Sequence, residues 1–407
     1  MSGESQLELI DARELGSRLQ AARKEARKTQ DEVATFLDVA RTTVTAMEKG
    51  ERRVRPSELV KLASFYSQRL SDLLRREASA APLALQLRAV ATADESVEQL
   101  LEPHAWNLQH LCEDYAELER ICKSPMVRHH PRERALGSVA SIHAAEDLAV
   151  AERNRLGLGD GPVANLRDTL EQEVGLRIFY IAMPSDIAGM FAFDEHLGGC
   201  IAINQQHREV RRRLSLAHEY AHFLTRRRQA SVDFAKRYQR LPEGERFANA
   251  FAPAFLMPAV GISRRFNEMK SVSKGKFTYA NLLGLAHYFA VSVESLVRRL
   301  EQLRLVPRGT WEKIKESGFR PQEGKAVLKL VEKETAADLL PTRYLMLAVQ
   351  GYREGLLTEG QLARWLRVDI LEARRVLEES FGSVGSTSAP LLGDGAIDRP
   401  EVGKAGA

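Results

Sequence analysis

The sequence predicts a multidomain protein in which an all-α N-terminal domain is followed by an α+β domain and then by a mostly helical C-terminal region. At 407 residues the chain exceeds one ordinary domain of about 100–150 residues. Between residues 12 and 78, apolar residues recur with the helical period. Strand patterns cluster between residues 176 and 206, in LRIFYIAM, GMFAFD and CIAINQQ.

Changes in pattern and composition set the domain boundaries. Residues 12–78 are predicted to form the N-terminal helical domain, 79–141 a helical linker and 142–305 the α+β domain. Residues 306–382 are predicted to be mostly helical. The segment 383–407 is rich in Gly, Ser, Ala and Pro, so we expect a disordered tail.

The overall composition is that of a soluble globular protein. Hydrophobic residues make up 44% and charged residues 28% of the chain, and no run of 18 apolar residues occurs, so a membrane span is not expected. The first residues lack the basic end and apolar stretch of a secretory signal, which favours the cytoplasm. Three cysteines follow no disulfide or metal-binding spacing, as suits a reducing compartment: Cys112, Cys122 and Cys200.

Positive charge is concentrated near the N-terminus. Residues 13–76 contain 15 Lys and Arg against nine Asp and Glu, a surplus larger than the net +4 of the whole chain. This concentration indicates that the N-terminal domain contacts nucleic acid. A second basic run, at 211–213 and 226–228, is interpreted as a solvated face of a helix.

The segment His218-Glu219-Tyr220-Ala221-His222 has the form HExxH within a predicted helix. Histidines four residues apart lie on one helix face, so their imidazoles can bind one ion. Zinc is the expected ion, because three protein ligands leave a position for a water whose pKa the ion lowers. Glu219 is then the expected general base that accepts the proton of this water.

The motif requires a third metal ligand, and the spacing excludes one source. An HExxHxxGxxH arrangement would need Gly and His where the chain has Thr225 and Arg228. The third ligand is therefore expected from a following helix.

Glu245 is the best candidate for this ligand. It begins the stretch ERFANAFAPAFLMP and lies on a different helix face from an apolar stripe formed by Phe247, Phe251 and Phe255. Asp233 and Glu243 are weaker alternatives.

Residues 142–300 resemble the ImmA/IrrE family of metallopeptidases. The resemblance is carried by the order and spacing of a helix, a strand, a hairpin at Gly189, IAIN, LAHEYAHFL and ExxANxFAxxxLMP. It implies a zincin-like fold with zinc bound by His218, His222 and Glu245, and with Glu219 as the base. It also implies protein substrates, typically a helix-turn-helix repressor that is cut once to release its operator.

Two features depart from that family's pattern. Tyr220-Ala221 replaces the commoner Leu-Gly, and the loop between Thr225 and Gly244 is long, although neither change removes a ligand. In zincins the substrate pairs as an added strand along the sheet edge. We therefore expect Ile201–Asn204 to form a substrate-binding rim.

Residues 15–75 resemble the Cro-type (XRE) helix-turn-helix family. Thr29 is the expected N-cap of the second helix, and the small Ala34 lets two helices cross closely. The turn LDVA leads into the recognition helix, whose core-facing residues are expected to be Val44 and Met47.

Two groups of residues are expected to contact double-stranded operator DNA. The first comprises base-reading positions, in which an arginine can pair with guanine and threonines can meet thymine methyls or phosphates: Arg41, Thr42 and Thr45. The second holds the DNA backbone: Gln30, Lys49, Arg52 and Arg53. Proteins of this type usually bind as dimers, so we expect a homodimer.

Residues 356–379 repeat the helix, turn, helix pattern but lack a dense basic surface. We interpret them as a packing or partner-binding module rather than a second DNA-binding element.

Together these features predict a cytoplasmic transcriptional regulator with zinc-dependent endopeptidase activity in a stress, mobile-element or defence response. Its substrate is expected to be a repressor or its own linker, where a cut between residues 79 and 140 would release the DNA-binding domain. The alternative is a transcription repressor or antitoxin-like protein whose peptidase-like domain is a non-catalytic sensor. The intact Glu219 argues against that alternative, because a structural role needs no base.

Overall fold

The computed structural model describes residues 12–26, 28–66, 73, 82–90, 95–135, 142–234, 242–321, 324, 328, 330 and 339–381. The chain divides into two compact units, Met1–Ala80 and Ala81–Ala407. The predicted fold class is confirmed: a helical helix-turn-helix region precedes a domain with a small mixed sheet and helices, and a helical C-terminal region follows. The tail predicted to be disordered lies outside the described residues.

In the described residues of the N-terminal unit, four helices surround one core. They are α1 Ala12–Glu25, α2 Gln30–Leu37, α3 Arg41–Glu48 and α4 Pro56–Phe65. Thr29 caps α2 as predicted, because its hydroxyl accepts from the Glu32 N–H while the Glu32 carboxylate accepts from the Thr29 N–H at 2.7 Å. The chain turns into α3 through Asp38, whose φ of 56° is left-handed.

The core of this unit brings α1 and α3 into close contact. Val44 and Met47 of α3 are buried as predicted, and so is Ala34 of α2. A Cβ at Gly16 of α1 would lie 2.5 Å from the Met47 carbonyl oxygen, so only glycine fits at this crossing.

The second unit contains a four-stranded sheet. Its strands are β1 Arg177–Ile181, β2 Ile187–Asp194, β3 Gly198–Asn204 and β4 Ser231–Phe234, in the spatial order β1-β3-β2-β4. β3 is parallel to β1 and antiparallel to β2, and β4 is antiparallel to β2. The predicted mixed sheet is therefore present, with β4 at one edge.

Helices cover both faces of this sheet. The described helices of the unit are α5 Leu83–Ala89, α6 Glu95–Ile121, α7 Ile142–Arg155, α8 Leu166–Val174, α9 Glu209–Thr225, α10 Glu243–Leu256, α11 Ala259–Val272, α12 Tyr279–Tyr288, α13 Val293–Gln302, α14 Thr310–Glu316, α15 Thr342–Arg353, α16 Glu359–Leu366 and α17 Ile370–Phe381. Successive strand residues point to opposite faces. In β1, Ile178 joins the core with α9 and α10, whereas Phe179 joins the core with α6 and α15. Coverage on both faces explains why the strands are almost continuously apolar.

The helices expected to form a linker pack against the sheet. Glu119 of α6 accepts hydrogen bonds from Arg177 of β1 at 2.8 Å and from Arg343 of α15 at 2.9 Å. This ion-pair cluster ties three distant parts of the chain together. Since residues 81–407 form one compact unit, the boundaries at 141 and 305 stay predictions.

The described helices α16 and α17 repeat the backbone pattern of α2 and α3. α16 has eight residues like α2, and Thr358 closes a capping box as Thr29 does. Arg367, with a φ of 58°, occupies the left-handed position that Asp38 has in the first motif. In each motif the next helix begins three residues later. Residues 356–379 therefore contain the predicted helix-turn-helix pattern.

The surface of this second motif differs from that of the first. Residues 342–381 contain six arginines and six acidic residues, so the segment is electrically neutral. Arg374 of α17 pairs with Glu359 of α16, and Arg367 donates to Asn107 of α6 at 2.7 Å. Neutrality and contact with α6 favour the predicted packing or partner-binding role.

Within the described residues, no single helix has both the length and the apolar character to cross a membrane. α12 and α13 pass that test only as a pair, with a bend of 99° between them.

The buried Glu171 of α8 makes the stability of this unit dependent on pH. Its carboxylate accepts from the Tyr115 hydroxyl at 2.7 Å. Burial raises its pKa to about 7, above the ordinary value of 4.5. A folded pKa above the unfolded one gives stability that is present below pH 4.5 and is lost as pH rises through 7.

We predict that Glu171→Gln flattens this dependence. Between pH 5 and 8, the free energy of unfolding in urea is expected to fall by about 2–3 kcal/mol more for the wild type than for the variant. The exposed Glu173→Gln on the same helix is the control and should behave as wild type. Parallel pH profiles for all three proteins would contradict the prediction.

Candidate metal centre

The HExxH motif lies in the buried part of α9, as predicted. His218 and His222 are each 4% exposed, and their Nε2 atoms lie 3.1 Å apart on one face of the helix. The other face packs into the apolar core through Tyr220 and Phe223. The helix therefore separates a polar face from an apolar one at the motif.

Glu245 in the first turn of α10 completes a three-residue cluster. Its Oε2 lies 3.1 Å from Nε2 of His218, and its Oε1 lies 3.2 Å from Nε2 of His222. The predicted stripe of three phenylalanines on α10 is buried against α9, and this packing fixes the carboxylate: Phe247, Phe251 and Phe255. The structure thus brings together all three residues predicted to bind the metal.

The two weaker candidates for the third ligand are not part of the His218, His222 and Glu245 cluster. Glu243 lines a neighbouring cavity of about 410 Å³ together with Thr225 and Arg226. Asp233 of β4 groups with His218 and Glu219, with ligand atoms within 4.8 Å of one another. Its carboxylate lies beside the triad and is not among the three donor atoms that converge there.

The three donor atoms suit a tetrahedral cation. An ion with ligand bonds of about 2.0–2.1 Å keeps its ligand atoms about 3.3 Å apart. The observed separations of 3.1–3.2 Å match this triangle. Two imidazoles and one carboxylate are also a donor set that zinc accepts in catalytic sites.

The electrostatics of the cluster favour positive charge at its centre. Burial opposes a charge on Glu245, yet hydrogen bonds from both histidines hold its pKa well below the ordinary range. Burial also opposes a charge on His218, but the hydrogen bond to Glu245 and the nearby carboxylates raise its pKa to about 9. A bound cation would supply the positive charge that this proton now supplies.

Glu219 is fully buried beside the cluster. Burial raises its pKa to about 8, and the charges of Asp233 and Glu245 act in the same direction. The Ser231 hydroxyl of β4 donates to its Oε2 at 2.9 Å. Its Oε1 is buried without a hydrogen-bond partner in the described structure. One oxygen is held, and the other is available to accept a proton.

Because it has no side chain, Gly189 of β2 leaves room for the Glu219 carboxylate. A Cβ at this position would lie 2.8 Å from Oε1 and 3.1 Å from Cγ of Glu219. The sequence marked Gly189 only as part of a hairpin. Glycine is needed at this position because the Glu219 carboxylate lies close to the strand, and not because the backbone angle is unusual.

The prediction that Ile201–Asn204 forms a substrate-binding rim is wrong. These residues belong to β3, which pairs with β1 on one side and β2 on the other, so its backbone has no open edge. The edge strand beside Glu219 is β4. The sequence analysis named Asp233 only as an alternative third ligand and missed Ser231 as a neighbour of Glu219, although the polar and apolar alternation of SVDF is a strand signal that could have found it.

Tyr220, which departs from the family's commoner residue, anchors α9 to α7. Its hydroxyl donates to Glu152 at 2.7 Å and accepts from Arg155 at 3.0 Å. The substitution leaves the metal-facing side of α9 unchanged, because Tyr220 is on the opposite face.

The predicted base-reading residues lie on or near the surface of α3. Arg41 and Thr42 are exposed, and Arg41 forms a 3.6 Å ion pair with the exposed Asp31. Thr45 donates to Gln30 at 3.3 Å. Gln30 in turn donates to Glu48 at 2.9 Å, so these side chains brace α2 against α3.

The predicted backbone-contacting residues follow α3. Lys49 and Arg53 are exposed. Arg52 forms two hydrogen bonds with Glu58, at 3.1 and 2.8 Å, and so also fixes the start of α4. Their contacts with DNA stay predictions.

Two family models match the chain. Residues 171–301 match the peptidase M78 family, described as the IrrE N-terminal-like domain, and residues 14–78 match a helix-turn-helix domain. Comparisons with curated proteins and with solved structures gave no match. The chain thus contains a metallopeptidase-family domain that includes the His-His-Glu cluster and an XRE-type helix-turn-helix domain, which confirms both resemblances.

We predict that the cluster binds one divalent metal per chain through Glu245. Glu245→Gln is expected to weaken zinc binding by about 100-fold or more, because an amide replaces a charged ligand between two imidazoles. The measurement is chelator competition followed by metal analysis. Glu243→Gln is the matched control on the same helix. Equal losses in both variants would assign the effect to the helix terminus and not to ligation.

Proposed function

We propose that the chain is a zinc-dependent endopeptidase joined to an operator-binding helix-turn-helix domain. One observation carries the peptidase activity: a buried carboxylate, Glu219, lies beside a triangle of two imidazoles and one carboxylate. A metal site with a purely structural role would have no use for this unligated base. The M78 family match supports the same conclusion.

His218, His222 and Glu245 would hold the ion. When bound, zinc polarises the scissile carbonyl and lowers the pKa of a water molecule. Glu219 accepts a proton from the attacking water through Oε1 and later donates it to the leaving amine. One C–N bond and one O–H bond of the water break, while one C–O and one N–H bond form, and Glu219 returns to its starting state.

We assign substrate binding to β4. In the described structure β4 pairs with β2 alone, so its other backbone edge can accept an extended peptide. The strand also carries Ser231, which contacts the base. A peptide added at this edge would lie close to Glu219, because Ser231 of the same strand contacts its carboxylate.

A separate protein suits this site better than the chain's own linker. α5 and α6 fill most of the described part of 79–141, and both are packed into the core on the sheet. Either helix would have to unfold before it could bind as an extended strand. We therefore favour a partner repressor as substrate. Self-cleavage would instead produce fragments of the chain itself.

The N-terminal domain is the proposed operator-binding element of a cytoplasmic homodimer. It combines the basic surplus with the exposed Arg41 and Thr42 at the start of α3, the end of a recognition helix that meets base edges. The DNA-binding domain would then bring the peptidase to the DNA sites at which a repressor is cleaved.

We predict that Glu219→Gln abolishes cleavage and retains the metal. The amide keeps the shape of the side chain but cannot accept the proton, so kcat should fall by at least about 1,000-fold. The assay incubates the zinc-loaded chain with helix-turn-helix repressors encoded beside it and identifies fragments by mass.

Glu209→Gln, an exposed glutamate on the same helix, is the control and should cleave as wild type. Cleavage by Glu219→Gln at the wild-type rate would exclude the peptidase mechanism. A metal-loaded wild type that cleaves nothing would instead favour the non-catalytic sensor.

We predict that Arg41→Ala with Thr45→Ala weakens operator binding by about 10–100-fold, since the one bidentate base contact that Arg41 can make is worth about 1–3 kcal/mol. The ligand is a duplex selected from a random pool by the wild type, and binding is measured by fluorescence anisotropy. Arg374→Ala is the control: Arg374 occupies the position in the neutral C-terminal motif that Thr45 has in the first motif, and this variant should bind as wild type. Unchanged affinity in the double variant would place recognition elsewhere.

A further inference from the structure

We infer that Ser231 is a positioning residue for the general base: its hydroxyl fixes one oxygen of Glu219 and directs the other toward the reacting water. The inference rests on the proposed peptidase function and adds a residue to its site. Neither the HExxH motif nor the resemblance to a family assigned a role to this serine.

The backbone of the sheet sets the position of the hydroxyl. Ser231 lies in β4 opposite Phe191 of β2 and is 8% exposed. Because the strand is held by its pairing with β2, the side chain reaches Glu219 from a fixed origin. The resulting 2.9 Å contact joins Oγ to Oε2.

The two oxygens of Glu219 have different surroundings. Oε2 receives the serine hydroxyl, whereas Oε1 is buried without a partner in the described residues and faces the space left by Gly189. A buried carboxylate oxygen without a hydrogen-bond partner is uncommon, and a catalytic role is one reason for keeping it. In the proposed mechanism this oxygen accepts the proton of the attacking water.

The Ser231 hydroxyl is an uncharged partner for Glu219: it donates to Oε2 and adds no charge to the site. Asp233, two residues along the same strand face, offers only a carboxylate, whose charge repels that of Glu219.

The first experiment measures kcat and KM of the full zinc-loaded chain on the repressor cleaved by the wild type. Ser231→Ala should lower kcat by about 10–100-fold, the loss expected for one hydrogen bond to a charged group, with KM and zinc content within about twofold of wild type. Ser231→Thr keeps the hydroxyl and should retain most of kcat. Ser215→Ala, a buried serine on α9, is the control and should match wild type.

The second experiment needs no activity. It is a double-mutant cycle that compares the unfolding midpoints of four metal-free proteins: the wild type, Ser231→Ala, Glu219→Gln and the double variant. A direct contact predicts that the two changes are not additive. Additive effects, or equal losses of kcat in the Ala and Thr variants, would overturn the role of Ser231.

Failure of the inference and failure of the proposed function are distinguishable. If the wild type cleaves nothing but the cycle shows coupling, the contact exists and the peptidase function fails. If the wild type cleaves and Ser231→Ala retains full kcat, the peptidase function stands and the positioning role fails.

Discussion

The candidate site depends on the crossing of two helices. α9 supplies two imidazoles from one face, and α10 supplies the Glu245 carboxylate, so the 3.1–3.2 Å triangle exists only while the helices keep their distance. The apolar stripe of α10 and the opposite face of α9 maintain that distance by burying aromatic side chains. Packing energy in the core thus opposes the electrostatic cost of holding buried carboxylates and histidines close together.

The surroundings of the Glu219 carboxylate are set by two strands of the sheet. β2 approaches Glu219 closely because Gly189 has no side chain, and β4 contributes the Ser231 hydroxyl. Burial makes the charged form of Glu219 costly, and a nearby cation lowers that cost. A cation held by the cluster would therefore favour the charged form of Glu219, while the sheet fixes the position of its carboxylate.

The described part of the chain contains one backbone motif twice, and the two copies differ in surface charge. Thr29 and Thr358 cap equivalent helices, and Asp38 and Arg367 make the same left-handed turn. Residues 13–76, which contain the N-terminal copy, have a basic surplus, whereas residues 342–381, which contain the C-terminal copy, are electrically neutral. Since phosphate charge dominates DNA affinity, the same geometry suits DNA in the first case and protein contacts in the second.

The sequence by itself determined what neighbouring residues encode. Helical period and capping gave the fold class and the Thr29 cap, and the four-residue spacing placed His218 and His222 on one face. The stripe on α10 selected Glu245. Only the tertiary structure decided that β4 pairs with β2, that Ser231 reaches the base, and that Ile201–Asn204 is interior. The physical reason is that periodicity is local, whereas strand order and helix packing join residues far apart, and apolar strands covered on both faces do not reveal their neighbours.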